Sequence, residues 1–125
     1  MNKHKFSVLG SKYEVMKATN KIDDGKNIEV VGNPSASVTR YVTHPSGAMN
    51  TGIWECEVGE WTAVQPSTEM FTILEGRVKI TDGEGVVHDL EAGDTMYVPR
   101  GAKVHWNVVA TVKKAWVMMP QLDVA

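Results

Sequence analysis

Four tryptophans are the side chains of this 125-residue sequence best suited to holding a small molecule. Flat indole rings stack on sugars and other planar ligands, and a few convergent polar groups then fix the ligand's orientation. Each tryptophan taken singly is more often part of a hydrophobic core, so the tryptophans alone do not establish a site. They are Trp54, Trp61, Trp106 and Trp116.

The histidines and the cysteine indicate little chemistry of their own. His4, His44 and His88 show no ligand spacing with one another, and we assign none of them to a site. Cys56 is the only cysteine. With no histidine close in sequence, it is interpreted as a small buried hydrophobic residue, and a lone cysteine is typical of a reducing compartment.

The charge balance excludes several classes of partner. Thirteen Lys and Arg stand against fifteen Asp and Glu, a net charge of −2 without a cluster of positive charge. Nucleic acid and anionic membranes call for such a cluster, so we expect neither as a partner. No apolar run suits a signal peptide or a membrane span. We therefore expect a cytoplasmic protein.

Short β-rich runs must position these side chains, because helical periodicity is almost absent. Turn residues bound each run, and Asp82-Gly83 with Gly85 predicts a tight hairpin. Eight strands of this kind indicate an all-β barrel or jelly roll. The runs cover residues 37–44, 52–58, 61–65, 70–81, 85–90, 95–99, 103–109 and 113–120.

The first 35 residues differ from the rest of the chain. They are polar and weakly patterned, with at most a short strand around "NIEVV" at residues 27–31. We interpret residues 1–35 as an N-terminal arm without a core of its own, and residues 36–125 as the barrel domain.

Two spaced glycine patterns resemble the sequence motifs of the cupin family. "GDTMYVPRG" has Gly93, Pro99 and Gly101 at the family's spacing, and Glu69 precedes Gly76 by seven positions, where we expect the strand to end in a turn. Residues 50–119 resemble the branch of ureidoglycine aminohydrolase-type and ethanolamine-utilisation cupins. This resemblance implies a single-domain cupin barrel, commonly dimeric.

The resemblance also implies a metal site that this sequence largely lacks. Metal-binding cupins offer two His, a Glu and a later His, donors suited to Mn, Fe, Ni or Zn. Of these Glu69 remains, the first two histidine positions fall within residues 62–65, and the third falls on Val104 beside His105. Neighbouring strand residues face opposite ways, so His105 should point outward unless a bulge re-aims it. We expect no metal or other cofactor, with a divalent metal as the alternative.

The resemblance places Glu69 inside the barrel, where a carboxylate is costly unless it is paired, hydrogen-bonded or protonated. The alternative is that Glu69 lies half-solvated at the barrel mouth and has only a surface role. Trp54 and Trp106 match positions where this branch carries tryptophan. The candidate partners of Glu69, which are also the candidate ligand-binding residues, are Lys114, Thr62, Tyr97, Gln65, Trp54 and Trp106, with Lys114 placed on the closing strand by the resemblance.

Two function classes follow from these residues. The favoured one is metal-independent binding of a small polar molecule, a sugar or a carboxylate, around Glu69, Trp54 and Trp106. The alternative is a hydrolase or isomerase with Glu69 as general acid/base, for which the resemblance points to C–N chemistry on a ureido compound. Fold alone does not decide between them.

The C-terminal "WVMM" at residues 116–119 predicts an assembly. Its successive apolar residues require burial on both faces of a strand, and the barrel interior covers only one. We expect a two-fold homodimer in which the arm pairs with or crosses onto the partner. The alternative is a monomer with the arm folded on its own barrel.

Overall fold

A computed structural model describes residues 4–10 and 13–122 and shows strands without helices in these ranges. The all-β class predicted from the sequence is confirmed. No helix in this part of the chain has the length and hydropathy to cross a bilayer. The nine strands are β1 Met16–Lys21, β2 Ile28–Val31, β3 Ser35–Thr43, β4 Asn50–Cys56, β5 Gly59–Val64, β6 Thr68–Thr81, β7 Val87–Glu91, β8 Thr95–Val98 and β9 Lys103–Met119.

Two long strands, β6 and β9, form the spine of the barrel. They pair antiparallel over almost their whole lengths, from Thr68 opposite Met119 to Thr81 opposite His105. The later part of β9 also pairs with β4. In the same half of the sheet β4 pairs with β3, β3 pairs with β1, and β8 pairs with the first part of β6. The earlier part of β9 pairs with β5, and β5 pairs in turn with β2, while β7 pairs with the end of β6. The two halves of this curled sheet therefore share β6 and β9.

The spine bends at Gly76, within β6. The register between β6 and β9 shifts on both sides of this residue, which has a φ of +83°. We expected Gly76 to end the strand in a turn, and that prediction is wrong, because the strand continues to Thr81. A bulge with a left-handed glycine bends a strand without ending it, and this bend carries β6 from one half of the sheet into the other.

The strand count also differs from the sequence prediction. Residues 103–109 and 113–120 were expected to be two strands, but they belong to the single strand β9. The arm supplies two more strands, of which β2 matches the predicted one and β1 was missed. All six residues of β1 are exposed, so the strand has none of the apolar alternation by which strands are recognised.

The arm lies on its own barrel. β1 pairs with β3 of the same chain and β2 pairs with β5, so the arm covers one edge in each half of the sheet. Phe6, ahead of both strands, stacks on Tyr41 with ring centroids 4.5 Å apart. Within one chain the arm thus covers the edges of β3 and β5, which offer unpaired backbone groups, and its expected crossing onto a partner stays a prediction.

The core fills the space between the inner faces of the two halves. Strand alternation is regular along β9, where Val104, Trp106 and Val108 are buried and the residues between them are half-buried. Phe71 from one half lies 5.7 Å from Trp106 of the other, centroid to centroid. Aromatic contacts between the halves thus connect the core to the tryptophans that the sequence singled out.

Candidate functional site

A cavity of about 260 Å³ opens beside this aromatic core. All four tryptophans of the chain line it, and its walls come from β3, β4, β5, β6 and β9 together with residues that flank them. Its volume lies just below the usual range of small-molecule pockets, so it suits a small ligand. The lining residues are Ile22, Val38, Arg40, Trp54, Trp61, Ala63, Gln65, Pro66, Glu69, Trp106, Lys114, Trp116 and Met118.

Three tryptophans form one packed cluster on this cavity. Trp61 and Trp106 are cross-strand neighbours whose rings stack 5.9 Å apart with an interplanar angle of 5°. Trp54 meets both rings at steep angles, 6.3 Å from Trp61 and 6.0 Å from Trp106. Offset and edge-on contacts of this kind add to the stability that burial alone provides. The three tryptophans therefore form one packed aromatic wall of the cavity.

Glu69 is buried, with 1% of its surface exposed, and both its carboxylate oxygens are engaged. Gln65 Nε2 donates a hydrogen bond of 2.9 Å to Oε1. Lys114 Nζ lies 2.8 Å from Oε2, an ion pair that lacks the angles of a directional hydrogen bond. Of the candidate partners, Lys114 and Gln65 therefore satisfy the carboxylate, and the alternative of a half-solvated Glu69 is wrong.

Aromatic rings surround the ammonium group of Lys114. Nζ lies 4.4 Å from the ring centroid of Phe71 and 4.7 Å from those of Trp54 and Trp106. A cation over an aromatic face is stabilised by about 0.5–2 kcal/mol, with the higher value for desolvated sites. The three rings and Glu69 together offset the cost of burying this charge.

The loop between β8 and β9 holds Gln65 in place. The backbone N–H of Gln65 donates to the carbonyl of Ala102, and the N–H of Gly101 donates to the carbonyl of Gln65, each over 2.8 Å. Gly101 has a φ of +89°, a conformation that glycine adopts without strain. The last glycine of the "GDTMYVPRG" motif thereby fixes the residue that hydrogen-bonds Glu69.

These residues do not fit a bound metal ion. Among residues 4–10 and 13–122 no group of three or more His, Cys, Asp or Glu is arranged to hold one. The Glu69 oxygen that would ligate a cation already faces the ammonium group of Lys114. A metal beside this ammonium would add a second positive charge to a site with one carboxylate.

His105 points away from the cavity, on the other face of β9 from Val104 and Trp106. Its Nδ1 lies 2.8 Å from Thr62 Oγ1, and its Nε2 lies 3.1 Å from Glu60 Oε1. β9 pairs with β5 in regular register through His105, so no bulge turns the ring inward.

Two predicted partners of Glu69 do not line this cavity. Thr62 follows the inward-facing Trp61 and therefore faces the opposite side of β5, where it meets His105. Tyr97 is 56% exposed and lies opposite Met70 on the outer face. Both assignments as partners of Glu69 are corrected, because each residue is one position out of phase with the inner face.

Arg40 and Trp116 are lining residues that the sequence did not single out together. The Arg40 guanidinium carbon lies 6.0 Å from the ring centroid of Trp116. Trp116 is two residues from Lys114 on one strand, so strand periodicity could have placed it on the same face. Arg40 comes from β3, and no spacing in the sequence indicates that β3 borders this cavity.

Cys56 lies outside the lining of this cavity. The thiol is buried, and burial raises its pKa to about 12. The neighbouring Glu57 carboxylate also raises this pKa, while Lys114 acts in the opposite direction. The reactive thiolate is therefore scarce at neutral pH, as expected for a small buried residue.

Comparison with solved structures shows the same fold in other proteins. A protein of unknown function of the DUF861 family from Pseudomonas syringae pv. tomato matches with a TM-score of 0.72 and 19% identity, over 86% of this chain and 45% of that chain. A putative ethanolamine utilization protein Q from Salmonella typhimurium matches with a TM-score of 0.62 and 17% identity, over 88% of this chain and 100% of that chain.

A third similar structure is the EutQ protein of Clostridium difficile, with a TM-score of 0.60 and 15% identity over 70% of this chain and 64% of that chain. These identities show a shared fold and no more. The chain spans less than half the length of the Pseudomonas protein. A search of curated protein sequences found no significant match.

The family assignment comes from the sequence itself. The profile of the EutQ-like cupin domain matches residues 43–116, more than half of the chain. This range includes Glu69, Lys114 and the four tryptophans, and it agrees with the resemblance inferred from the glycine motifs. The chain belongs to the family of EutQ-like cupin domains.

Proposed function

We propose that this cupin domain binds a small polar molecule in the tryptophan-lined pocket without using a metal ion. The observation that carries this proposal is the cavity of about 260 Å³ whose lining combines four tryptophans with polar side chains. Ile22, Arg40 and Met118 are half-buried at its edge, so a ligand has a route from the surface. Apolar walls with a few convergent polar groups are the usual composition of a small-molecule site.

The geometry of Glu69 favours binding over catalysis. A general acid/base needs an oxygen within hydrogen-bond reach of the proton it transfers. Here Gln65 and Lys114 occupy the two oxygens of Glu69, and only 1% of the residue's surface is exposed. The pair therefore supports the shape of the pocket, and acid/base chemistry by Glu69 would require that it separate.

A blocking substitution tests the site. Ala63 lines the cavity, whereas its neighbour Val64 is exposed on the opposite face of β5. We expect small acids, amides, sugars or ureido compounds, screened at millimolar concentration after dialysis against EDTA, to raise the melting temperature of the parent and of Val64→Phe. Ala63→Phe should abolish this shift, because its ring fills the pocket. At 100 times the dissociation constant, a ligand stabilises its protein by about 2.7 kcal/mol.

Two outcomes would contradict the proposal. Compounds that stabilise Ala63→Phe as much as the parent bind elsewhere. A screen in which no compound shifts the parent would remove the binding function altogether. Dependence of the shift on added Mn²⁺ or Zn²⁺ would refute the metal-independent part alone.

We also propose that the protein is a homodimer that uses the outer face of β6, β8 and β9. Met70 and Tyr97 are directly opposite each other and are 47% and 56% exposed, and Val117 lies opposite Met70 on its other side. Three large apolar side chains in one cross-strand row form a patch suited to a self-complementary interface.

Introducing one negative charge into this patch tests the proposed interface. We expect light scattering after size exclusion to give twice the chain mass of 13.7 kDa for the parent. Met70→Glu should shift the protein towards the single-chain mass, since two-fold symmetry places both new carboxylates in one interface. Val87→Glu, at an exposed valine of β7, is the matched control and should leave the mass doubled. A parent of single-chain mass at tens of micromolar would contradict the dimer.

The cytoplasm is the compartment we propose for this domain. Its one cysteine is a free thiol, buried in the core. Reduced cysteines without disulfides are typical of cytosolic proteins.

A further inference from the structure

We propose that the ligand of this pocket is a small monocarboxylate and that Arg40 and Trp116 bind its carboxylate group. The inference rests on the proposed binding function and assigns a chemical class to its ligand. Two observations carry it. The pocket has one positive charge in excess, and it contains a buried hydrogen-bond donor without an acceptor.

The excess charge belongs to Arg40. Three charged residues line the cavity, and Glu69 and Lys114 neutralise each other at 2.8 Å. Arg40 contacts the ring of Trp116, but no ion pair joins it to a carboxylate anywhere in residues 4–10 and 13–122. A guanidinium group beside a partly enclosed aromatic cavity favours an anion, and its planar fork matches a carboxylate.

The unpaired donor is the indole N–H of Trp116. This side chain is 4% exposed, and its Nε1 is buried without a hydrogen-bond partner in the described chain. Leaving a buried donor unsatisfied costs about 1–3 kcal/mol, and such groups are rare in folded proteins. An indole N–H donates hydrogen bonds and does not accept them, so its missing partner must be an acceptor atom. Trp116 lines the same cavity as Arg40, so a modest turn of its ring would bring the N–H to an anion bound beside the guanidinium group.

Charge and size select the class of anion. One unpaired cation balances a single negative charge, which suits a carboxylate better than a phosphate dianion. The tryptophan walls favour an apolar or flat body attached to that carboxylate. A cavity of about 150 Å³ is known to hold benzene, so this larger one has room for a body of that size with a carboxylate.

Matched acid and amide pairs test the proposal. Benzoate with benzamide and isobutyrate with isobutyramide differ mainly in charge, and quenching of the four pocket tryptophans reports their binding. We expect each acid that binds to do so about tenfold more tightly than its amide, the effect of a hydrogen bond to a charged group. Phenylphosphonate, a dianion of similar shape, should bind more weakly than benzoate.

Substitutions then assign the contacts. Arg40→Met should weaken benzoate binding about tenfold or more and leave benzamide binding unchanged, while Arg40→Lys should retain part of the preference for the acid. Arg77→Met removes an exposed arginine that pairs with Asp89 and is the matched control, with no expected change. Trp116→Phe removes the indole N–H and should reduce the preference for the acid over the amide.

The outcomes separate this inference from the function on which it rests. Equal binding of acid and amide, tighter binding of phenylphosphonate, or an unaltered preference in Arg40→Met would overturn the carboxylate assignment. If neither acid binds but a neutral compound binds in a manner abolished by Ala63→Phe, the carboxylate assignment fails and the binding function stands. If nothing binds in that manner, both fail.

Discussion

Replacing Lys114 by methionine should lower the free energy of unfolding by about 3–5 kcal/mol, the largest effect that we expect from a single side chain. The substitution leaves the Glu69 carboxylate buried with Gln65 as its remaining partner among the described residues. It also removes a cation from the faces of Phe71, Trp54 and Trp106. Methionine has nearly the same length and fills the space between the rings, so the loss reflects charge more than volume.

A double-mutant cycle isolates the pair from its surroundings. Glu69→Gln should also be costly, because it leaves the ammonium group without a counter-ion. The variant with both substitutions should lose clearly less stability than the sum of the two single losses, because no unpaired charge remains in the core. Urea unfolding of all three variants at one fixed protein concentration makes their stabilities comparable, because any contribution from dimerisation is then held constant.

Lys103→Met is the matched control for this cycle. Lys103 is an exposed lysine on the same strand, so its replacement should change stability by less than about 0.5 kcal/mol. A loss below about 1 kcal/mol for Lys114→Met, or simple additivity in the double variant, would mean that the charges do not depend on each other.

Gly76→Ala should destabilise the protein by about 3 kcal/mol, for two separable reasons. The residue has a φ of +83°, which costs an L-residue about 1–2 kcal/mol. A Cβ here would also lie 2.7 Å from the carbonyl carbon of Thr111 and 2.8 Å from the oxygen of Ala110, both in the backbone of β9. Backbone atoms of a paired strand cannot move aside as a flexible side chain can, so the two long strands would have to separate at their bend.

Substitutions at two other glycines separate the conformational cost from the steric cost in this loss of stability. Gly85 has the same φ of +83° but open space where a Cβ would be, so Gly85→Ala should show only the conformational cost. Gly83 has open space and no such conformation, so Gly83→Ala should be nearly neutral. If urea unfolding gives the same loss of unfolding free energy for Gly76→Ala and Gly85→Ala, the close contact with the Thr111 backbone contributes nothing to the loss.

The sequence was sufficient for the fold class and for the faces of the central strands. The resemblance to cupins put Val104 at an inward position, and the alternation of strand residues then set His105 outward, as the structure shows. The turn residues located most strand ends in the barrel domain. Local patterns report these features because each depends on the chain within a few residues of itself.

Strand β1 and the continuity of β9 required the tertiary structure. β1 is exposed throughout, and its pairing with β3 provides the backbone hydrogen bonds that its side chains do not predict. β9 runs through the bend of the barrel, where Ala110 and Thr111 interrupt the apolar pattern but pairing with β6 continues. In both cases hydrogen bonds to a distant strand decided the structure.

The residues of the pocket also divide into those that the sequence indicated and those that only the tertiary structure identified. Lys114 and Gln65 were two of the candidate partners of Glu69. The sequence offered Thr62, Tyr97, Trp54 and Trp106 as well, since nothing local chose between them. Inter-strand register made the choice, because it sets which residues of β5, β6 and β9 share the inner face. Arg40 is the clearest case. Its charge is evident in the sequence, but only the pairing of β3 with β4 brings it to the edge of a cavity that other strands build.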